Sequence, residues 1–128
     1  MSKKTVAILG ASADRTKFGN KSVRAHVKQG YEVFPVNPKG GEIEGLKVYA
    51  ALTEIPGGKL YRVSMYLPPA VGMKLLPIIA ERGCDELWLN PGSENDEIIA
   101  AAEKLGLKPI VACSIVDLGI MPHNLSDH

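Results

Sequence analysis

Thr5 to Leu9 forms a short apolar run that ends on Gly10-Ala11-Ser12 and the basic turn Asp14-Arg15-Thr16-Lys17. Val6, Ala7, Ile8 and Leu9 show no alternation between apolar and polar residues, so such a strand must be buried on both faces. That is the condition of a parallel sheet with helices on either side. A helical stretch over about 19–29 follows, with Asn20 expected as its cap, Val23 and Val27 facing inward, His26 beside them and Gly30 ending it. Tyr31 to Val36 then reads as a second strand stopped by Asn37-Pro38-Lys39-Gly40-Gly41. The two loops are predicted at the same end of neighbouring parallel strands, where they would frame one anion-binding crevice.

The remainder repeats the alternation. A small extended excursion is expected around Gly45, from Glu42-Ile43 to Lys47-Val48-Tyr49, then a helical turn over 53–56. Leu60 to Leu67 is the third main strand, followed by Pro68-Pro69 and a helix over about 70–81 that Pro77 should kink or interrupt. Cys84 to Leu89 reads as a strand, with Trp88 packed on a helix or closing a pocket. Asn90-Pro91-Gly92-Ser93 is the next loop, Ser93 or Asn95 caps a helix to about Leu105, and Pro109 to Ala112 is a fifth strand. A short element over 115–120 and a loosely held, mobile tail over 122–128 complete the chain. The pattern predicts a three-layer α/β domain over residues 1–128, a Rossmann-like open parallel sheet with helices on both faces, whose ligands bind beyond the carboxyl ends of the strands.

With 128 residues, 45% of them hydrophobic, the chain has the length of one domain with a substantial core. Fifteen basic residues against 14 acidic ones leave a formal charge of +1, which gives no broad electrostatic ground for nucleic acid or an acidic membrane as partner. Cys84 and Cys113 form no metal-ligand spacing, and Asp14, Asp85, Asp96 and Asp117 show no repeat that would pair them, so neither a metal site nor an acid–base pair is expected. The start Met1-Ser2-Lys3-Lys4 runs straight into a short strand without the apolar stretch of a signal peptide, and no run reaches membrane-spanning length. A cytoplasmic protein with reduced thiols is the expectation.

Gly10-Ala11-Ser12 is not a full GxGxxG fingerprint, and it fits an ordinary tight turn as well as a phosphate-binding one. Amides at the start of the following helix, the Ser12 hydroxyl and the charges of Arg15 and Lys17 favour an anion. Lys39 taken alone reads more simply as a solvent-facing lysine in a turn; across the crevice from Gly10 it becomes a second phosphate contact. An acidic residue at the end of the second strand would suit an adenosine ribose, whereas Asn37-Pro38-Lys39 favours phosphate there.

In that order, Gly10-Ala11-Ser12, Val36-Asn37-Pro38-Lys39-Gly40-Gly41, Gly45-Leu46-Lys47-Val48-Tyr49, Leu67-Pro68-Pro69-Ala70 and Leu89-Asn90-Pro91-Gly92-Ser93 resemble the CoA-binding domain family. That family includes small stand-alone proteins and the first domain of the succinyl-CoA synthetase alpha subunit. The resemblance covers nearly the whole chain. It implies that Gly10, Ala11 and Ser12 face the phosphates or ribose of CoA, that Lys39 contacts phosphate, and that Pro68, Pro69 and Ala70, with Val71 behind them, lie near adenine. Arg15, Lys17, Asn37, Pro38, Asn90 and Ser93 join them as candidate contacts, and Cys113 as a residue the ligand thiol could meet, though ordinary packing is the simpler role for it. His26 is not placed like the synthetase's phosphorylated histidine, which belongs to a later domain; a helical, packed or exposed histidine is the simpler reading.

The resulting expectation is a non-catalytic module that binds coenzyme A or an acyl-CoA, with a homodimer or protein partner compatible with an exposed sheet edge or helix. The alternatives are a small NAD- or nucleotide-binding regulator, an enzyme acting on acyl-CoA, and a structural subunit of an acyl-CoA ligase complex.

Overall fold

The structure is a computed structural model that describes residues 3–128. In chain order it contains β1 (Thr5–Leu9), α1 (Phe18–Lys28), β2 (Glu32–Val36), β3 (Glu42–Ile43), β4 (Leu46–Lys47), a 3-10 turn (Leu52–Glu54), β5 (Leu60–Met65), α2 (Pro69–Arg82), β6 (Cys84–Leu89), α3 (Asp96–Lys104), β7 (Pro109–Val111), α4 (Ser114–Asp117) and a second 3-10 turn (Pro122–Asn124). Five strands form one parallel sheet in the order β2-β1-β5-β6-β7, while β3 and β4 pair as a small antiparallel hairpin. This is the Rossmann-like α/β architecture the apolar strands predict.

From β1 the chain steps outward through α1 to β2, then crosses back to add β5 on the other side of β1. Right-handed crossovers in opposite directions place their helices on opposite faces, so α1 and the short α4 cover one face and α2 and α3 the other. The strand order reverses between β1 and β5, and the loops leaving their carboxyl ends part there.

The unbroken apolar run of β1 is explained by burial on both sides. Ala7 and Leu9 pack toward Leu76 and Ile79 of α2 and Ile98 of α3, while Val6 and Ile8 pack toward Val23 of α1; none of these is more than 1% exposed. The two faces differ further along the sheet. Val63, Met65, Leu87 and Leu89 continue the apolar layer under α2 and α3. On the α1 side, Arg62 and Ser64 lie in register with Val6 and Ile8, so that face becomes polar at β5.

Three local expectations are corrected. Asn20 does not cap α1: the cap is Lys17, and Asn20 sits inside the helix, fully buried, because its side chain serves a distant loop. Val27 points outward, 49% exposed, while His26 takes the inward position. Pro77 does not end its helix; α2 runs through it as one element. Proline removes a backbone donor there, but it lies on the exposed side and leaves the buried stripe of Gly72, Leu76 and Ile79 intact. Asn95 does cap α3, its side chain accepting from the Ile98 amide at 2.8 Å.

Candidate functional site

Gly10 turns the chain sharply off β1 with φ +88°, a conformation that L side chains rarely adopt. A Cβ on it would lie 3.0 Å from the Tyr66 carbonyl oxygen at the end of β5. Gly19, in the first turn of α1, is constrained more severely: a Cβ there would lie 2.2 Å from the Gly10 carbonyl oxygen. The helix start and the turn therefore pack backbone against backbone. No acidic residue occupies the first turn of α1, and the helix start has no side-chain cap for its first amides.

Between these glycines the loop is braced from within. Ser12 Oγ accepts from the Asp14 amide at 3.0 Å, and Asp14 Oδ1 accepts from the Thr16 amide and hydroxyl at 2.9 and 2.7 Å. Those two Thr16 hydrogen bonds hold the Asp14 carboxyl below its ordinary value. Asn20 is the loop's main outside support: its Nδ2 donates to the Ser12 carbonyl at 2.9 Å and to Glu44 Oε2 at 3.1 Å, and its Oδ1 accepts from Arg24 Nε at 2.8 Å. Arg15 Nε lies 3.3 Å from Glu44 Oε2, an ion pair without hydrogen-bond alignment, and Arg15 also donates to the His128 carbonyl. Its charge is thus turned toward the β3–β4 hairpin and the tail, while Lys17 remains exposed at the mouth of the loop.

The end of β2 is tied to the same turn. The Gly10 and Ala11 amides both donate to the Val36 carbonyl at 3.3 Å, and Asn37 Nδ2 donates to the Ala11 carbonyl at 2.8 Å. Asn37 Oδ1 accepts from the Lys39 amide at 2.9 Å, which fixes the turn that leaves Pro38 and Lys39 exposed. The Asn37 side chain therefore aligns two strand-end loops.

Two adjoining cavities open here, and Gly10, Asn37 and Leu67 line both. One, of about 230 Å³, is the more enclosed of the two, though partly open, and mostly apolar; its walls include Val36 and Pro38, Ala51 and Leu52, and Val71 and Ile78 of α2. The other, of about 510 Å³, is an open crevice bounded by Gly10 to Ser12, Lys17 to Gly19, Tyr66 to Pro68 and Pro91 to Ser93. Of the residues singled out in the sequence, Gly10, Ala11, Ser12, Lys17, Asn37, Pro68 and Ser93 line the crevice, and Pro38 and Val71 line the enclosed cavity. Lys39 adjoins Pro38 on the exposed turn, and Pro69 opens α2 outside both cavities. Arg15, Asn90 and Cys113 line neither.

Asn90 is 1% exposed and its amide is engaged inside the protein. Nδ2 donates to Ser64 Oγ and the Met65 carbonyl, each at 2.9 Å, and Oδ1 accepts from the Ser114 amide at 2.8 Å. Ser93 Oγ donates to the same Met65 carbonyl at 3.1 Å. These bonds set the height of the Pro91-Gly92 rim over the crevice. Ser114 Oγ also meets Ser64 Oγ at 2.7 Å and the Tyr66 hydroxyl at 3.0 Å, and burial raises the Tyr66 phenol above its ordinary value. Cys113, half-buried, precedes this cluster as the cap of α4.

On the same rim Glu94 Oε2 accepts from the Gly92 amide at 3.0 Å, whereas Arg62, His26 and Cys84 lie away from the crevice. Arg62, 2% exposed, pairs with Glu86 at 2.9 Å and Asp117 at 2.8 Å, stacks at 4.7 Å on Trp88 and faces His26 Nε2 at 3.3 Å. Trp88 therefore packs over an arginine and closes neither cavity. His26 Nδ1 lies 2.8 Å from the Ser22 carbonyl, and burial lowers the imidazole to about 4, so it is neutral near pH 7. The Cys84 thiol, at the start of β6, is pushed up to about 11 mainly by burial and is unreactive in that state. Among the described residues no cluster of three or more His, Cys, Asp or Glu could hold a metal, and no helix is long and apolar enough to cross a membrane.

Sequence reasoning missed Gly19 and misread Asn20. A second glycine nine residues after Gly10, at a helix start, was the available signal for the first. Nothing local announced that Asn20 would reach Ser12 and Glu44.

A sequence profile of the family described as "CoA binding domain" matches residues 4–119. The alpha subunit of an ADP-forming acetate–CoA ligase from Pyrococcus furiosus is 33% identical over 121 aligned residues, covering 82% of this chain and 26% of the relative. The chain thus spans about a quarter of the length of that curated relative. Among solved structures, a conserved hypothetical protein from the same organism is 34% identical with a TM-score of 0.79, covering 91% of this chain and 99% of the other. The dinucleotide-forming acetyl-coenzyme A synthetase 1 of Candidatus Korarchaeum cryptofilum, solved with phosphate and ADP, is similar in fold alone: 22% identity, TM-score 0.72, covering 85% of this chain and 25% of that one.

Proposed function

Because the chain belongs to the CoA-binding domain family, we propose that its two adjoining cavities divide one CoA molecule between them, adenine in the enclosed cavity and the charged and pantetheine portions in the open crevice. The observation that carries this reading is their difference in chemistry across a shared boundary at Gly10, Asn37 and Leu67. A flat heterocycle gains by leaving water for an apolar slot, and a diphosphate gains where a bare helix end, a hydroxyl and a lysine meet.

The residues fit that division. Pro38 on one side and Val71 on the other offer apolar surfaces to the ring, with Pro68 and Pro69 at the start of α2 fixing the loop that presents Val71. Toward the phosphates lie the first-turn amides of α1, Ser12 Oγ and Lys17, with Lys39 approaching from the β2 loop. Asn20 and Asn90 serve by holding the loops, while Asn37 and Ser93 hold them and also line the crevice the ligand enters. Arg15 reaches phosphate only by leaving Glu44. The pantetheine arm runs out past Pro91 and Gly92, and the thiol it carries is the group a partner would act on. Bound CoA supplies that thiol; this chain binds and presents it. The likeness to acetate–CoA ligase alpha subunits supports a protein partner as the place where acyl chemistry occurs.

Lys39 is exposed, so its contribution is a screened charge. Lys39→Ala is expected to weaken CoA roughly three- to five-fold by calorimetry at low salt, with the difference shrinking as salt rises. Equal affinities for the variant and the unaltered protein at low salt would remove Lys39 from the site.

A further inference from the structure

The wall of the enclosed cavity that faces α2 carries little regular structure. Ala50 to Thr53 contribute to it, and the chain from there to Gly58 has only one 3-10 turn. Two side chains anchor this stretch in the core, Leu52 at 5% and Ile55 at 3% exposure. The Ala51 and Leu52 carbonyls accept from the Glu54 and Ile55 amides at 3.0 and 3.2 Å, while those of Ile55, Pro56 and Gly58 need donors from outside the turn.

Arg82, the last residue of α2, supplies them. Its Nε donates to the Gly58 carbonyl at 2.6 Å, one terminal nitrogen to the Ile55 carbonyl at 2.7 Å and to that of Leu52 at 3.4 Å, and the other to the Pro56 carbonyl at 2.9 Å. One guanidinium gathers four carbonyls of a seven-residue loop. Only a planar fork with donors on three nitrogens can do this; an ammonium is a point donor. Arg82 does not line the enclosed cavity, but Ile78, one helical turn before it, does, as does Leu52, whose carbonyl it holds. The arginine thus fixes the distance between the 3-10 turn and α2, and that distance is the width of the slot.

We infer that Arg82 is a positioning residue for adenine recognition: it holds the 50–58 segment so that the apolar slot is formed before the ligand arrives. The inference rests on the CoA reading above. Preorganisation saves the ligand the cost of ordering the wall, so the loss on removing the clamp falls on ligands that fill the slot.

The test uses Arg82→Met, which keeps the apolar stem, and Arg82→Lys, which keeps the charge, with CoA and 4′-phosphopantetheine as ligands, the latter lacking adenine. CoA affinity is expected to fall about ten-fold in Arg82→Met and nearly as far in Arg82→Lys, corresponding to about 1.4 kcal/mol. Affinity for 4′-phosphopantetheine, measured by competition, stays within two-fold. Amide hydrogen exchange over 50–58 in the ligand-free variants should quicken while that of β1 and β5 does not. Unchanged CoA affinity, or equal losses for both ligands, would overturn the assignment. If the unaltered protein fails to bind CoA, the functional reading falls and the adenine role with it, while the exchange data still report whether the clamp orders the loop.

Discussion

The enclosed cavity and the open crevice share three residues but are held in shape by different means. The crevice is shaped by backbone: Gly10 in a left-handed turn, Gly19 packed against it, and three asparagines, Asn20, Asn37 and Asn90, bonded to neighbouring loop and strand groups. The enclosed cavity is shaped by side chains that converge from β1, β2, the 50–53 segment and α2, with one distant arginine fixing the spacing. A surface built from amides and glycines suits phosphate, which any sequence can bind through its backbone. A surface built from chosen side chains is where selectivity among bases resides.

The strongest way to break the crevice alone is Gly19→Ala. The added methyl meets a backbone carbonyl that has no room to move, so a loss of roughly 2–3 kcal/mol in stability is expected despite alanine's better helix propensity. Chemical denaturation measures it, and CoA binding should fall below detection. A variant as stable as the parent would show that the turn and the helix start are not in contact. The complementary change, Val71→Trp, fills the enclosed cavity from α2 without touching the crevice. CoA and ADP should weaken roughly ten- to thirty-fold, about 1.4–2 kcal/mol, while 4′-phosphopantetheine binds as before. Retained ADP affinity in that variant would place adenine elsewhere.

The smallest effect on either cavity is expected at His26, which lies under α1 beside Arg62. Burial holds it neutral, lowering it from 6.5 to about 4. Its contribution to stability is therefore whole above about pH 6.5 and is lost as pH falls toward 4, because the unfolded chain takes up the proton first; the loss amounts to about 3 kcal/mol. Urea denaturation at pH 7, 5.5 and 4 should show His26→Gln losing less stability over that range than the parent, with CoA affinity at pH 7 within two-fold. Parallel pH profiles would mean that His26 titrates in the fold as it does in the unfolded chain.

The same contrast explains what could be read from sequence. Strands buried on both faces announce themselves, and β1, β2, β5, β6 and β7 begin and end within a few residues of their apolar runs. The turn glycines and prolines at their carboxyl ends marked the segments that converge, since parallel neighbours place those ends together. What was not legible depends on contacts between distant residues. Asn20 looks like a cap by its nearness to a helix start, but Ser12 and Glu44, 8 and 24 residues away, determine its place. Arg62 and Ser64 break the apolar pattern of β5 for partners as far as 55 and 50 residues on. Asn90, a ligand candidate by position, is taken up by Ser64 and Ser114. Arg82 is an unremarked arginine at a helix end until the 52–58 loop folds back onto it.

The measurement closest to the central claim is calorimetric titration of the reduced, ligand-free protein with CoA, against NAD and ADP under matched conditions. ADP tests the slot and the first phosphates, NAD adds a second nucleoside, and CoA adds the pantetheine arm that follows the crevice. Saturable binding in which CoA exceeds both is the predicted result. Saturable NAD binding with none for CoA would contradict it, leaving the fold in place and the site that of a nucleotide-binding regulator.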